Sequence, residues 1–177
     1  MNKVQTLIED IFTARSQYLA SISAVTEEQA HWKPDAETWN MCEITEHLFW
    51  AEQGALYGMW KTLYAIREGS VKRETESIHK DFPIEHIIEK TWQVKEKVPP
   101  VAAPKLGGTL AFWKSSLQHL HNVLVDFGQD LQDDELRLQA HPHPISGVMD
   151  FQQRLEFLRF HIDRHRLQVL ELLHTMP

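Results

Sequence analysis

The sequence predicts an all-α protein, an up-down four-helix bundle with an extra short helix between the second and third long helices. Three observations support this. Apolar residues recur at helical spacing over four long stretches. The chain has only 7 glycines and 8 prolines, and most of them lie between those stretches. Its 177 residues are enough to bury one substantial core, so we expect a single domain over residues 1–177.

The first long helix is predicted over residues 3–23, where apolar residues recur every three or four positions. A short helical turn follows, because Thr26 and Gln29 have the spacing of a capping box. Pro34 then stops this turn. The apolar stripe of the first helix consists of Val4, Leu7, Ile8, Ile11, Phe12, Tyr18, Leu19 and Ile22.

The second long helix has a well-marked start. Asn40 can cap it, and Glu43 is placed three residues later to reach back to the cap. Trp39 and Ile44 can form a hydrophobic staple across this start. We expect the helix to end near residue 68, ahead of a Gly-Ser pair. Mostly small residues line one face, where a neighbouring helix can approach closely: Ile44, His47, Ala51, Ala55 and Gly58.

The connector over residues 70–108 begins as a polar loop and ends as a plain Pro- and Gly-containing link. Between these parts, residues 83–98 are predicted to form the extra short helix, because proline suits a first helical turn. A third long helix is predicted over residues 109–128. The partial apolar face of the short helix consists of Ile84, Ile87, Ile88, Trp92 and Val94.

The last helix is predicted to start at Asp150, with Gln153 completing the cap. Its apolar positions alternate steps of four and three residues, which is typical of a buried seam in a helical bundle. The seam consists of Phe151, Leu155, Leu158, Ile162, His165, Val169 and Leu172.

Composition excludes several classes of function. The net charge of −7 and the pI near 5.9 argue against a nucleic-acid surface, which needs concentrated Lys and Arg. No apolar run approaches the roughly 20 residues that span a bilayer. The single cysteine, Cys42, excludes an intramolecular disulfide framework. No signal-peptide pattern opens the sequence, so we expect a cytoplasmic protein that acts on a small molecule and binds neither nucleic acid nor membrane.

His165 occupies a position in the seam where an apolar residue would normally lie, and His161 precedes it by one turn. Four residues overshoot a full turn by about 40°, so both rings can point to the same spot. This geometry offers two nitrogens to one metal ion. The alternative is a pair of exposed or hydrogen-bonded core histidines. Burial favours the ion, because a desolvated imidazole needs a partner on each nitrogen.

A third ligand has to come from another helix, and His47 is the best candidate. It lies on the well-capped second helix, within the stripe of small residues that leave space for an ion. Taken alone, His47 would be interpreted as a core histidine. The other histidines are less suitable. His119 and His121 lie two residues apart and would face different directions on a helix. His141 and His143 lie in a Pro-flanked turn, where histidines are more often solvated. The remaining histidines have no partner at ligand spacing: His31, His79, His86 and His174.

Two stretches resemble the DinB-like superfamily of metal-binding helical bundles, which includes bacillithiol transferases and related thiol-dependent enzymes. They are KPDAETWNMCEITEHL and HPHPISGVMDFQQRLEFLRFHIDRHRLQVL. The resemblance covers nearly the whole chain in element order, although residues 70–108 match nothing specific. It implies a bundle of DinB-like type with His47, His161 and His165 as metal ligands. It also implies zinc or nickel as the ion, and a protein that could form a homodimer.

Three hypotheses about function follow. Three imidazoles on one divalent ion leave an open coordination position, which is the mark of a catalytic site. A small thiol held there would attack an electrophile, as in a thiol S-transferase, whereas a bound water would make the protein a hydrolase. The resemblance favours the low-molecular-weight thiol as cosubstrate. The second hypothesis is a metal-binding protein without catalysis, and the third is a structural bundle with buried histidines.

Overall fold

A computed structural model describes residues 2–93 and 97–177 of the chain. Within these residues the secondary structure is helical, with isolated bridges and no strand, so the predicted all-α class is confirmed. The helices are α1 (Lys3–Ser21), α2 (Glu27–His31), α3 (Met41–Arg67), α4 (Ile84–Thr91), α5 (Leu110–Asp130) and α6 (Phe151–Thr175), with a 3₁₀ turn at Asp133–Glu135.

The four long helices α1, α3, α5 and α6 form a four-helix bundle around one apolar core. Helix α1 packs most extensively on α6, and α3 packs most extensively on α5. Smaller contacts join α3 to α6 and α1 to α5. Helices α1 and α3 therefore lie at opposite corners of the bundle, although they are the first two long helices along the chain.

Helices α3 and α5 run in the same direction. At one end the Cys42 thiol reaches the Gly108 carbonyl at 3.4 Å, and at the other the Trp60 indole donates to Asp130 at 2.9 Å. Helix α1 is antiparallel to α3, since Tyr18 bonds Thr45 while Arg15 pairs with Glu52.

Helices α1 and α6 are parallel, because both start beside the 3₁₀ turn. The Lys3 amide donates to Asp133 at 3.1 Å, and the Gln152 amide donates to the Leu136 carbonyl at 3.0 Å. The order of directions is thus up, down, down, up. It differs from the simple alternation expected from the sequence, because the connector between α3 and α5 is long enough to return the chain along the full bundle.

The predicted caps form at the three helix starts where the sequence marks them. In α3 the Glu43 amide donates to Asn40 at 2.8 Å, and the Asn40 amide donates to Glu43 at 2.9 Å. The pairs Thr26 with Gln29 and Asp150 with Gln153 make the same reciprocal bonds. These bonds satisfy amides that have no partner within their own helix. They fix where α3 and α6 begin, and hence which side chains face the core.

The short helix α4 ends at Thr91, well before the predicted end at residue 98. Trp92 is extended, with φ of −100° and ψ of 147°, because its indole donates to the Ser146 hydroxyl at 3.0 Å. Val94 lies outside the described residues. The predicted apolar face packs against α6 through Ile84, Ile87 and Ile88, next to Met149 and Phe157.

The longest helices carry charged and polar residues throughout their length. None of the helices in the described ranges 2–93 and 97–177 is long and apolar enough to cross a membrane.

Candidate metal centre

Three imidazoles from two helices meet inside the bundle. His47 projects from the second turn of α3, and His161 and His165 project from α6 one turn apart. The Nε2 atom of His161 lies 3.1 Å from Nε2 of His47 and 3.1 Å from Nε2 of His165. The three side chains are 3%, 5% and 7% exposed. The structure thus brings together the three residues that the sequence singled out.

In two of these rings, the nitrogen that faces away from the cluster is hydrogen-bonded to a neutral oxygen atom. His47 Nδ1 lies 2.7 Å from the Ala102 carbonyl oxygen, and His165 Nδ1 lies 2.9 Å from the Gln168 side-chain oxygen. Because oxygen accepts in both bonds, each Nδ1 carries the proton and each Nε2 presents a lone pair. Both lone pairs point towards His161.

This arrangement fits a metal ion better than a hydrogen bond. One proton on Nε2 of His161 could serve only one of its two neighbours, and the other lone pair would stay buried without a donor. A single cation can accept all three lone pairs, with nitrogen–metal bonds of about 2.0–2.1 Å. Among the described residues, His47, His161 and His165 form the one group of three or more His, Cys, Asp or Glu side chains that could hold an ion together. Their possible ligand atoms all lie within 4.8 Å of one another.

Burial keeps the three imidazoles neutral. Desolvation, with smaller contributions from the neighbouring histidines and Arg164, holds the pKa of His161 well below its usual range and lowers that of His165 to about 3. Burial also lowers the pKa of His47, although the bond to the Ala102 carbonyl opposes this. Neutral imidazole is the form that binds metal, so protons compete poorly for this site near neutral pH.

Aromatic rings enclose the cluster. The Phe157 ring stacks on His161 with centroids 5.4 Å apart, and the Trp92 ring meets His161 at 6.3 Å. The Trp39 ring lies 5.1 Å from His47. The sequence assigned Trp39 to a helix staple and Trp92 to the short helix. The position of Trp92 beside His161 depends on the course of the connector, for which the sequence carries no local signal. Trp39 instead directly precedes the cap of the helix that carries His47.

The two turn histidines, His141 and His143, are not part of the cluster. His141 accepts a hydrogen bond from Arg154 at 2.9 Å, and burial, helped by the Arg154 charge, lowers its pKa to about 4. His143 Nδ1 accepts backbone amides of Ile145 and Ser146 at 3.2 and 3.1 Å. Both residues are partly buried, in the turn to which the sequence assigned them.

Cys42 is a buried thiol that does not belong to the group formed by the three histidines. Its sulfur lies against the Gly108 carbonyl, and burial, followed by the nearby carboxylates, raises its pKa to about 11. A protonated thiol does not bind metal. Cys42 is therefore a small buried residue outside the candidate metal centre.

The chain and its fold match known proteins. The family model described as DinB superfamily matches residues 12–169. The uncharacterized protein YuaE of Bacillus subtilis is 24% identical over 168 residues, which cover 90% of this chain and 92% of that protein.

Two solved structures share the fold at low sequence identity. YfiT from Bacillus subtilis is described as a probable metal-dependent hydrolase with an unusual four-helix bundle topology. It has 15% identity and a TM-score of 0.64, over 99% of this chain and 90% of that chain. An uncharacterized protein from Clostridium difficile 630 has 14% identity and a TM-score of 0.61, over 100% and 99% of the two chains.

Proposed function

This chain belongs to the DinB superfamily, and from that premise we propose that it is a metal-dependent enzyme whose divalent ion is held by His47, His161 and His165. One observation carries the proposal. Three buried Nε2 atoms converge, and two of them are fixed as lone-pair donors by bonds on the far side of their rings. Zinc or nickel is the proposed ion, as the family resemblance implies, and imidazole ligands suit both.

Three protein ligands leave coordination positions open to a small molecule. A divalent ion bound there would lower the pKa of a water or thiol ligand and supply a nucleophile near neutral pH. The protein's own contribution is orientation and exclusion of water. Hydrogen bonds to the carbonyl of Ala102 and the side-chain oxygen of Gln168 fix the orientation of the His47 and His165 rings. The rings of Phe157 and Trp92 cover His161.

The proposed reaction is transfer of a low-molecular-weight thiol to a small electrophile. One feature of the cluster's surroundings supports an anionic cosubstrate such as a thiolate. The Arg164 guanidinium lies 5.6 Å above the Trp92 ring, and Trp92 in turn contacts His161. Arg164 is exposed and is in no ion pair with a carboxylate of the described residues. Its charge is therefore available to a ligand that approaches past Trp92.

Hydrolysis is the second candidate reaction. The description of YfiT as a probable metal-dependent hydrolase favours it, because the same open position could hold water in place of a thiol. A metal-binding role without catalysis is the third candidate. All three share the same ligand set and differ only in what occupies the open position.

Protein purified without a histidine tag, stripped and reloaded with zinc or nickel, tests these candidates. It would be incubated with 2-mercaptoethanol and an aryl halide, and separately with an aryl acetate and no thiol. Thiol-dependent loss of the aryl halide supports the transferase, and thiol-independent ester cleavage supports the hydrolase. Metal binding without turnover leaves the binding role. Failure of the wild-type chain to retain any metal would overturn the metal proposal altogether.

A homodimer, a small-molecule substrate and a cytoplasmic location complete the proposal. Light scattering on purified protein gives the mass in solution, with 20.7 kDa expected for one chain and twice that mass for the dimer.

A further inference from the structure

The Glu46 carboxylate is buried between α3 and the end of the connector. It is fully buried, with 0% of the residue exposed. One carboxylate oxygen accepts the backbone amides of Lys105 and Leu106, both at 2.8 Å. The other accepts the amide of Gly107 at 3.0 Å, and the Trp50 indole adds a donor at 3.2 Å. Four donors thus surround one carboxylate.

These hydrogen bonds keep Glu46 ionised. Burial alone would raise the pKa of this carboxyl, but the three amides together with the indole hold it below its ordinary value. Three consecutive backbone amides can converge on one anion only in a special chain conformation. Gly107 supplies it, with φ of 66°, a region that is strained for residues with a side chain.

The residue that follows Glu46 in α3 contacts the same segment of the connector. His47 Nδ1 donates to the Ala102 carbonyl at 2.7 Å, only three residues before the first amide that Glu46 binds. Two neighbouring side chains of α3 therefore hold one short loop at two points. Pro104 lies between these points and restricts the backbone dihedrals there, so fixing residues 105–107 also restricts where the Ala102 carbonyl can lie.

We propose that Glu46 is a positioning residue for the metal centre, acting through the loop of residues 102–107 to hold the Ala102 carbonyl against His47 Nδ1. With that carbonyl in place, the proton stays on Nδ1 and the ring keeps the direction in which Nε2 faces His161. The effect on metal affinity rests on the proposed function. The effect on the orientation of the His47 ring does not depend on metal binding.

The Glu46→Gln variant tests this, with Glu43→Gln as the matched control. Both remove one carboxylate from the start of α3, but Glu43 contacts the Asn40 cap and Lys33 and not the loop. In metal-free protein, we expect Glu46→Gln to broaden or shift the Nδ1–H signal of His47 in nitrogen-15 NMR spectra. Cobalt(II) affinity, measured by chelator competition, should fall about 10- to 100-fold, the range typical when the partner of a metal-binding histidine is lost. Glu43→Gln should leave both unchanged.

A second variant separates the proposed positioning effect from a general loss of folding. Insertion of one glycine between Ala103 and Pro104 leaves Glu46 and its amide bonds intact but uncouples them from the Ala102 carbonyl. It should reproduce the His47 signal change and the loss of cobalt affinity. An unchanged His47 signal in either folded variant would overturn the positioning role. Wild-type protein that binds no cobalt would instead defeat the proposed function, while the metal-free spectra would still decide the role of Glu46.

Discussion

The Nε2 atoms of His47 and His161 lie 3.1 Å apart in space and 114 residues apart in sequence. This proximity requires α3 and α6 to be packed against each other, so the site does not exist in the unfolded chain. Any ion that binds there binds the folded state selectively and must stabilise it by mass action.

Metal loading should therefore raise thermal stability. At a free metal concentration 100-fold above the dissociation constant, one site adds about 2.7 kcal/mol to the free energy of unfolding. Calorimetry of the stripped and zinc-loaded chain measures this. The stabilisation should vanish in His161→Ala and persist in His119→Ala, because among the described residues the hydrogen-bond partner of His119 is Ser115 of the same helix, α5. Equal stabilisation of both variants would place the ion elsewhere.

The metal-free protein should lose stability as the pH falls, over a pH range that depends on the pKa values of its buried histidines. Burial lowers the pKa of His165 and of His143 to about 3 from an unfolded value of 6.5. Between these values the unfolded state binds more protons than the folded state, so stability falls as the pH falls below 6.5. The urea midpoint should be lower at pH 5.0 than at pH 7.0. His165→Gln should reduce this difference and the exposed-site variant His174→Gln should not. A midpoint that does not change with pH would contradict this.

Replacing either of two glycines of α3 by alanine should have opposite effects on the stability of the protein. A Cβ at Gly58 would lie 2.5 Å from the His141 ring, whereas a Cβ at Gly54 meets nothing within 4 Å. Gly54→Ala should add about 0.5–1 kcal/mol of stability through backbone entropy. Gly58→Ala should displace His141 from Arg154, leaving a buried guanidinium without an acceptor, and cost about 1–3 kcal/mol. Denaturant titrations of both variants give the comparison, and the prediction fails if both are stabilised.

Replacing both Arg15 and Glu52 by apolar residues should cost much less stability than replacing Arg15 alone. Both residues are 2% exposed, and they join α1 to α3 through the middle of the bundle. Arg15→Met should cost about 3–5 kcal/mol, since it leaves Glu52 as an isolated buried charge. Adding Glu52→Leu should recover most of that loss. If the double variant is no more stable than Arg15→Met, the cost does not come from the isolated charge.

The predictable parts of this protein are those that local sequence specifies. A cap is decided by two residues three apart, so Asn40 and Asp150 mark the starts of α3 and α6 correctly. With both starts known, helical periodicity alone placed His165 in the core and His161 beside it. Convergence with His47 was predicted from the coincidence of two inward-facing patterns, and the structure brings the three rings together.

The connector and the helix directions depend on tertiary contacts instead. Trp92 stops α4 because its indole finds a hydroxyl on Ser146, 54 residues later in the chain. Glu46 binds three amides of a Gly- and Pro-containing segment, and nothing in its own helix indicates that partner. A long link also leaves the direction of the next helix open, so α5 could not be oriented from sequence.

The parallel course of α3 and α5 has a consequence for how such proteins can diversify. The link between them must travel the length of the bundle, and on its way it contacts two of the three imidazoles, His161 through Trp92 and His47 through Ala102. Changes in loop length cost little free energy, so insertions or deletions beside Trp92 or Ala102 could reshape access to the cluster while the helices that carry the ligands stay as they are. We expect selectivity for different small molecules to evolve in this segment.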